Sequence, residues 1–319
     1  MIINGDSAKA LKKFEDNSID AVITDPPYGI EFLGKEWDSN TGAIDIWQEC
    51  LRVLKPGGFL LAFSAARTYH HLATNIEQVG FEIKDQLIWI YSSGMPKGQD
   101  IGKASNSKWQ GWRTALKPAQ EPIVMARKTF KDSTLANMER WGVGALNIDE
   151  NRIPYEDEKD YNVYVNNIKG PLERSTAKAG DKIGMFSGQT GFKAQKGKVG
   201  EDFIPNQQGR YPSNVLGEIT NYQRYFYCPK VTKKEKMSFN THPTVKPVEL
   251  MKYLIKLVAP KGAHILDPFA GSGSTGMACK QLGYRFTGID LDANYCDIAE
   301  RRITATQEDL TETLFEEQT

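Results

Sequence analysis

Asp267-Pro268-Phe269-Ala270-Gly271-Ser272-Gly273-Ser274-Thr275-Gly276 decides the fold. The residues before it, His264 to Asp267, form a short strand candidate, and a helix is predicted from about Thr275 to Leu282. Glycines in such a strand-to-helix turn let the backbone approach a ligand closely, and the helix N-terminus offers free N–H groups. Fifteen residues beyond Thr275, the next strand candidate, Arg285 to Asp290, ends in a carboxylate. An acid at that place accepts hydrogen bonds from ribose hydroxyls. The series reads as a nucleoside-cofactor site. Gly271, Gly273 and Gly276 also satisfy G-x-G-x-x-G. A nicotinamide dehydrogenase therefore stays open on this element, as does a tight turn that binds nothing.

The flanking sequence has the same texture. Val248 to Val258 and Ala293 to Ile303 have helical character on either side. Nearer the N-terminus, Ile19-Asp20-Ala21-Val22-Ile23-Thr24 is a buried-strand candidate, ended by Asp25-Pro26-Pro27 because two prolines cannot continue a central strand. Ile44 to Leu54 has helical spacing and stops at Lys55-Pro56-Gly57-Gly58. Phe59 to Ser64 is a continuous apolar strand, Thr68 to Val79 a helix closed by Gly80, and Ile83 to Tyr91 another strand. Strands alternating with helices predict an α/β fold whose mostly parallel sheet is covered on both faces. Residues 92–240 differ: they are rich in Gly, Lys, Asn, Ser and Gln, and only Glu121 to Ala126 reads clearly as strand. Residues 156–210 read as an insertion with long loops.

The 319 residues are 40% hydrophobic and 25% charged, which excludes a wholly disordered, collagen-like or coiled-coil chain. No run of eighteen apolar residues occurs, so no membrane-spanning helix is expected. The first residues lack a basic stretch followed by an apolar one, which argues against a secretory leader. Cys50, Cys228, Cys279 and Cys296 form no CxxC pair. A reduced thiol set in a cytoplasmic protein is expected, with no metal site. Net charge is zero, yet residues 92–247 carry 25 Lys and Arg against 16 Asp and Glu. A basic segment in an acidic remainder suggests that one region meets a polyanion; an unevenly charged surface is the plain alternative.

Asp25-Pro26-Pro27-Tyr28 carries the second piece of chemistry. An amino group conjugated to an aromatic ring is a poor nucleophile because its lone pair is delocalised. The Asp25 carboxylate and the Pro26 carbonyl can each accept one amino hydrogen, which localises that lone pair toward an electrophile. Tyr28 can stack on the base. Pro26 and Pro27 stiffen the loop, so the acceptors are preorganised. The plain alternative is a turn that ends a strand.

Taken together, the two motifs resemble those of the S-adenosylmethionine-dependent DNA amino-methyltransferases. The order, Asp25-Pro26-Pro27-Tyr28 first and the glycine turn last, is similar to the beta group of that family. Asn4-Gly5-Asp6 resembles the family motif whose acid meets the cofactor adenine, although Asp6 can equally cap the next helix. His242-Pro243-Thr244-Val245-Lys246-Pro247 resembles the segment lining the methionine end of S-adenosyl-L-methionine. The resemblance implies that Thr244 and Lys246 approach the cofactor's amino-acid moiety. It places Phe269 and Gly271 beside the cofactor within the turn Asp267, Ala270, Ser272, Gly273 and Thr275, and it puts Asp290 on the ribose. Gly209-Arg210-Tyr211-Pro212-Ser213-Asn214-Val215 looks like a stretch of phage and prophage members.

What the resemblance implies is a Rossmann-like, circularly permuted, seven-stranded sheet with one antiparallel strand near residues 121–126. Residues 1–127 and 241–304 would form the catalytic domain, 128–240 an inserted target-recognition region, and 305–319 an acidic tail. The implied reaction is methyl transfer to an extruded base of double-stranded DNA, with adenine N6 preferred over cytosine N4. Arg113, Arg127, Arg140 and Arg210 are candidates for DNA contact, and Trp37, Trp89, Tyr91, Trp109, Trp112 and Trp141 for stacking. Lys193, Lys196 and Lys198 resemble a phosphate-contacting loop. A homodimer and a separate restriction nuclease stay open as partners. So do two other readings: a methyltransferase for RNA or protein amines, and an inactive DNA-binding relic.

Overall fold

The computed structural model describes residues 1–30, 40–91, 98–104, 108–163, 207–217 and 233–307, with the backbone of short strands at 182–183 and 192–193. Trp37, Cys228, Lys196, Lys198 and the Lys193 side chain lie outside the described residues, as does most of the acidic tail. The chain forms two compact units, one of Met1–Asn151 with Ser213–Thr319 and one of Arg152–Pro212.

The first unit is built on one sheet. Its strands are β1 (Ile2–Asn4), β2 (Ile19–Thr24), β3 (Leu54–Phe63), β4 (Phe81–Ile90), β5 (Gln120–Lys128), β8 (Val215–Gly217), β9 (His264–Asp267) and β10 (Arg285–Asp290). Their spatial order is β1-β10-β9-β2-β3-β5-β4-β8. Every pairing is parallel except those of β5, which runs antiparallel to both β3 and β4. The antiparallel strand, Gln120–Lys128, falls where the resemblance implies it. Among the described residues, eight strands stand in this sheet where seven were expected, because β8 pairs with Ile88–Ile90 on the outer edge of β4.

The helices of this unit are α1 (Ser7–Leu11), α2 (Ile44–Val53), α3 (Tyr69–Gln78), α4 (Ile101–Ala104), α5 (Thr134–Trp141), α6 (Lys233–Lys236), α7 (Val248–Val258), α8 (Ser274–Gln281) and α9 (Ala293–Ala305). The central strands are buried on both faces, so they read as continuous apolar runs. Ala21, Ile23, Leu61, Phe63 and Met125 face α7 and α8. Val22, Leu60, Ala62 and Val124 face α1, α2 and α3, where Trp47 and Cys50 are wholly buried.

Lys55-Pro56-Gly57-Gly58, expected as a turn, is carried inside β3 as a bulge. Between the pairs Ile19↔Leu54 and Ala21↔Phe59, β2 advances two residues and β3 five. Gly57 has φ +83°, and a Cβ there would collide with the Asn137 side chain. Asn137 of α5 donates to Pro56 O (2.9 Å) and Val143 O (2.6 Å). The stretch 134–151, expected within the insertion, thus supports the sheet of the first unit, as does β8.

In the second unit, β6 (Lys182–Ile183) pairs antiparallel with β7 (Phe192–Lys193). Ile153 and Arg210 exchange backbone hydrogen bonds (3.1 and 2.8 Å), so the chain enters and leaves this unit side by side. Arg210 is buried, ion-paired to buried Asp160 at 2.5 Å, with its guanidinium 4.7 Å from the Tyr155 ring. Its expected availability for DNA contact is therefore corrected: the guanidinium serves the interior of this unit.

Candidate active site

Strands β10, β9, β2, β3 and β5 bring the chemistry to one rim. Asp290, Asp267 and Thr24 end parallel strands, while Glu121 lies at the start of antiparallel β5 and so reaches the same edge. Ligands of open α/β sheets bind at this edge.

The glycine turn has the geometry expected of it. Gly271 (φ +49°) and Gly273 (φ +78°) adopt left-handed conformations, and Gly273 caps α8. Ala270 N donates to Ile289 O at 2.9 Å, and the Gly271 N–H donates to Asp290 Oδ2 at 2.8 Å. The Asp292 N–H donates to Asp290 Oδ1 at 2.9 Å. Each Asp290 oxygen thus accepts a backbone hydrogen and retains a second lone pair, the acceptor set that the hydroxyls of a ribose diol require. Burial raises the Asp290 carboxyl above its ordinary value, opposed by these two N–H groups. Phe269 lies with its ring centroid 5.7 Å from that of Trp47. Ser272 Oγ accepts from Arg302 Nη1 at 2.8 Å. These residues fit an adenosine-bearing group.

Asp267 and Thr275 are turned inward instead. Asp267 Oδ1 accepts from Thr24 Oγ1 (2.7 Å) and the Phe269 N–H (3.1 Å), and Oδ2 accepts from Thr275 Oγ1 (2.7 Å). Both side chains are buried and tie the end of β9 to β2 and α8. Asp6 is exposed and caps α1, its Oδ1 accepting from Lys9 N at 2.9 Å. Its neighbour Ser7 donates to Pro268 O at 2.6 Å, which docks α1 beside the glycine turn. Thr244 is exposed, and its carbonyl lies 2.6 Å from His242 Nδ1. Burial lowers the His242 pKa, opposed by this hydrogen bond and by the Asp25 and Asp290 carboxylates.

Asp25, Tyr28, Lys246 and Glu121 form one cluster. Tyr28 Oη lies 2.7 Å from Asp25 Oδ1 and 3.0 Å from Glu121 Oε2, so its single proton can go to either carboxylate. Lys246 Nζ donates to Asp25 Oδ2 (2.5 Å) and Tyr28 Oη (3.1 Å), and lies 3.2 Å from Glu121 Oε2. Burial and the two carboxylates push the Tyr28 phenol well up. Burial opposes the Lys246 charge, but Asp25 and Glu121 outweigh it and hold the ammonium protonated. Lys246, expected at the cofactor's amino-acid end, is placed here against Asp25. Glu121 was missed by the sequence reading. Its signal is a lone acid heading an otherwise apolar strand.

Among the candidate DNA contacts, Arg113 pairs with Asp100 (3.0 Å) and Arg127 with Glu82 (3.0 Å), while Arg140 is exposed with its guanidinium 5.3 Å from the Trp141 ring. Trp89 packs on Phe63 and Tyr91. No helix among the described residues is long and apolar enough to cross a membrane.

A glycine turn that suits an adenosine group, beside a proline-stiffened loop that suits an amine, defines a Rossmann-like group-transfer enzyme. A family model described as DNA methylase, of the N6/N4 methyltransferases, matches residues 19–301. The chain belongs to this family, the S-adenosylmethionine-dependent DNA amino-methyltransferases. It is 28% identical to the type II methyltransferase M.HindIII of Haemophilus influenzae, over 95% of this chain and 94% of that protein. It is 27% identical to the type II methyltransferase M.HpaI of Haemophilus parainfluenzae, over 95% and 73%. With the DNA adenine methyltransferase YhdJ of Escherichia coli it shares 26% identity over 95% and 82%. Among solved structures, the cytosine-N4-specific PvuII DNA methyltransferase shares the fold with a TM-score of 0.56 at 14% identity, over 99% of this chain and 89% of that one. The M1.HpyAVI-SAM complex gives 0.50 at 20% identity, over 95% and 98%.

Proposed function

We propose that this enzyme methylates the N6 amine of an adenine extruded from double-stranded DNA. The observation that carries this is Asp25: its carboxylate heads the rigid Pro26-Pro27 loop at the end of β2, two strands from Asp290 at the end of β10. S-adenosylmethionine, when bound, supplies a methyl group activated by its positive sulfur. Asp290 would hold the ribose, with Phe269 and the backbone of Gly271 beside the adenosine. The target atom is inside the duplex, so the base must leave the stack. Asp25 then accepts one amino hydrogen and the Pro26 carbonyl the other, which directs the nitrogen lone pair at the methyl carbon. The proton lost by the amine would pass to the Asp25 carboxylate that already accepts its hydrogen, while the electron pair of the C–S bond would stay with the cofactor. Tyr28 stacks on the base.

Adenine is supported by the name of one relative, the DNA adenine methyltransferase YhdJ, and, through the family resemblance, by Asp25 together with Tyr28 in the tetrapeptide. Cytosine N4 is the second reading, since the same loop geometry serves either amine and the cytosine-specific PvuII enzyme shares the fold. Residues 152–212 are assigned to target recognition within this proposal. The type II designation of two relatives supports a separate restriction nuclease as partner, and a homodimer stays an expectation of the resemblance.

The test uses purified protein, labelled S-adenosylmethionine and unmodified DNA of mixed sequence, with nucleosides identified by mass spectrometry. N6-methyladenine that is absent with Asp25→Ala supports the assignment. N4-methylcytosine overturns the choice of base, and no methylated base despite cofactor binding overturns the substrate.

A further inference from the structure

We propose that Glu121 is a positioning residue that draws Lys246 and the Tyr28 hydroxyl away from Asp25 as the target amine enters, freeing the Asp25 carboxylate to accept an amino hydrogen. The inference rests on Asp25 being the amine acceptor. Without a base in place, both Asp25 oxygens are engaged: Oδ1 by the Tyr28 hydroxyl at 2.7 Å and Oδ2 by Lys246 Nζ at 2.5 Å. A carboxylate bound to an ammonium is a weakened acceptor, because its charge is neutralised and its lone pairs are partly used. The reaction needs that carboxylate back.

Glu121 is placed to take both donors at once. Its Oε2 is 3.0 Å from Tyr28 Oη and 3.2 Å from Lys246 Nζ, so each donor already spans the two acids. Tyr28 needs only to rotate its proton from one carboxylate to the other. Lys246 needs a displacement smaller than a side-chain rotamer change, because Nζ is already within ion-pair reach of both. The Lys246 ammonium is guided in this cradle by the rings of Phe63 (4.8 Å) and Tyr28 (5.6 Å). Glu121 is fixed by the pairing of β5 with Trp89 on β4, whereas Asp25 heads a loop. The immobile acid can therefore act as the counter-ion while the loop acid meets the base. Glu121 touches neither methyl donor nor amine in this scheme; it acts through Lys246 and Tyr28.

The experiment uses the full chain with Glu121→Gln, Glu121→Asp, Lys246→Met and the double variant Glu121→Gln/Lys246→Met. Single-turnover methyl transfer is measured beside the Kd values for S-adenosylmethionine and DNA. Gln keeps the hydrogen-bonding shape but leaves the ammonium on Asp25. The expected result is a loss of about tenfold or more in single-turnover rate, with either Kd changed by less than about twofold. Glu121→Asp should recover part of that loss. With Lys246 already removed, Glu121→Gln should cost far less than it does in the wild-type background. A wild-type rate for Glu121→Gln overturns the proposal, as does a loss seen in Kd alone or one that adds fully to that of Lys246→Met. An active Asp25→Ala enzyme would instead remove the underlying assignment, so the two failures are distinguishable.

Discussion

Burial holds the Asp267 carboxyl at about 6 against an ordinary value of 3.8, although Thr24, Thr275 and the Phe269 N–H each favour its charge. A pKa raised by folding adds stability that is complete below the unfolded value and is lost as pH rises through the folded one. Between pH 5 and pH 8 this group should therefore cost the protein about 1–2 kcal/mol. Asp267→Asn imitates the protonated acid and has no such dependence. Its stability should fall less than that of the wild type over this range, as read by urea unfolding at the two pH values. Parallel changes in the two proteins would assign the pH response to other groups. Arg302 gives a second case at this scale. It is wholly buried and donates to Ser272 O (2.6 Å), Ser272 Oγ (2.8 Å) and Glu235 O (2.8 Å), so it holds the glycine turn from behind. Arg302→Lys should weaken S-adenosylmethionine binding by about threefold to tenfold in calorimetry, since one ammonium cannot span these acceptors. Asp25, Tyr28, Asp290 and the glycines were legible because each motif is local in the chain. Glu121 and Arg302 were not. Asp25 meets Lys246 across 221 residues and Tyr28 meets Glu121 across 93, and no local pattern records such contacts.

At the scale of elements, the buried strands were legible for a physical reason: a parallel strand covered on both faces is an uninterrupted apolar run. β1 and β8, of three residues each, are too short to show any period. The β3 bulge misled because Lys55-Pro56-Gly57-Gly58 has the composition of a turn, while its stability comes from Asn137, some eighty residues on. Asn137→Ala removes both donors to Pro56 O and Val143 O and should destabilise the protein by about 1–3 kcal/mol with little change in cofactor Kd. A stability loss below about 0.5 kcal/mol would mean that the bulge holds itself. The excursion between β4 and β5 bears on the DNA binding of the proposed function. It is closed by Tyr91 N donating to Ala119 O (3.0 Å), directly before β5 and Glu121. It carries the exposed Trp112 beside Trp109, with Lys108 Nζ 5.5 Å from the Trp109 ring. An aromatic and basic segment issuing from the catalytic rim suits DNA. Lys108→Ala should weaken DNA binding on all sequences alike and lower the magnitude of the salt slope by about 0.9 if one phosphate contact is lost. An unchanged slope would remove Lys108 from the interface.

For the whole molecule, the distribution of charge bears on the proposed division between holding DNA and reading it. Residues 92–247 carry the basic excess, yet the unit Arg152–Pro212 holds ten Lys and Arg against eight Asp and Glu. Most of the excess therefore belongs to stretches of the first unit, those before β5 and those leading to α7. Phosphate attraction is independent of sequence, so it should survive without the second unit, whereas base reading should not. The Ile153–Arg210 bridge makes the division testable, because paired antiparallel residues lie about 5.5 Å apart across a hydrogen-bonded pair and a short linker spans that gap. A variant with residues 153–210 replaced by a short glycine-serine linker should unfold cooperatively and bind S-adenosylmethionine with wild-type affinity. It should still bind DNA in a salt-dependent way, and it should lose preference for any methylation site. Sequencing of methylated positions in a mixed DNA library reads this directly. If the shortened enzyme methylates the same sites as the full chain, recognition resides in the first unit and the excursion before β5 becomes the element to test.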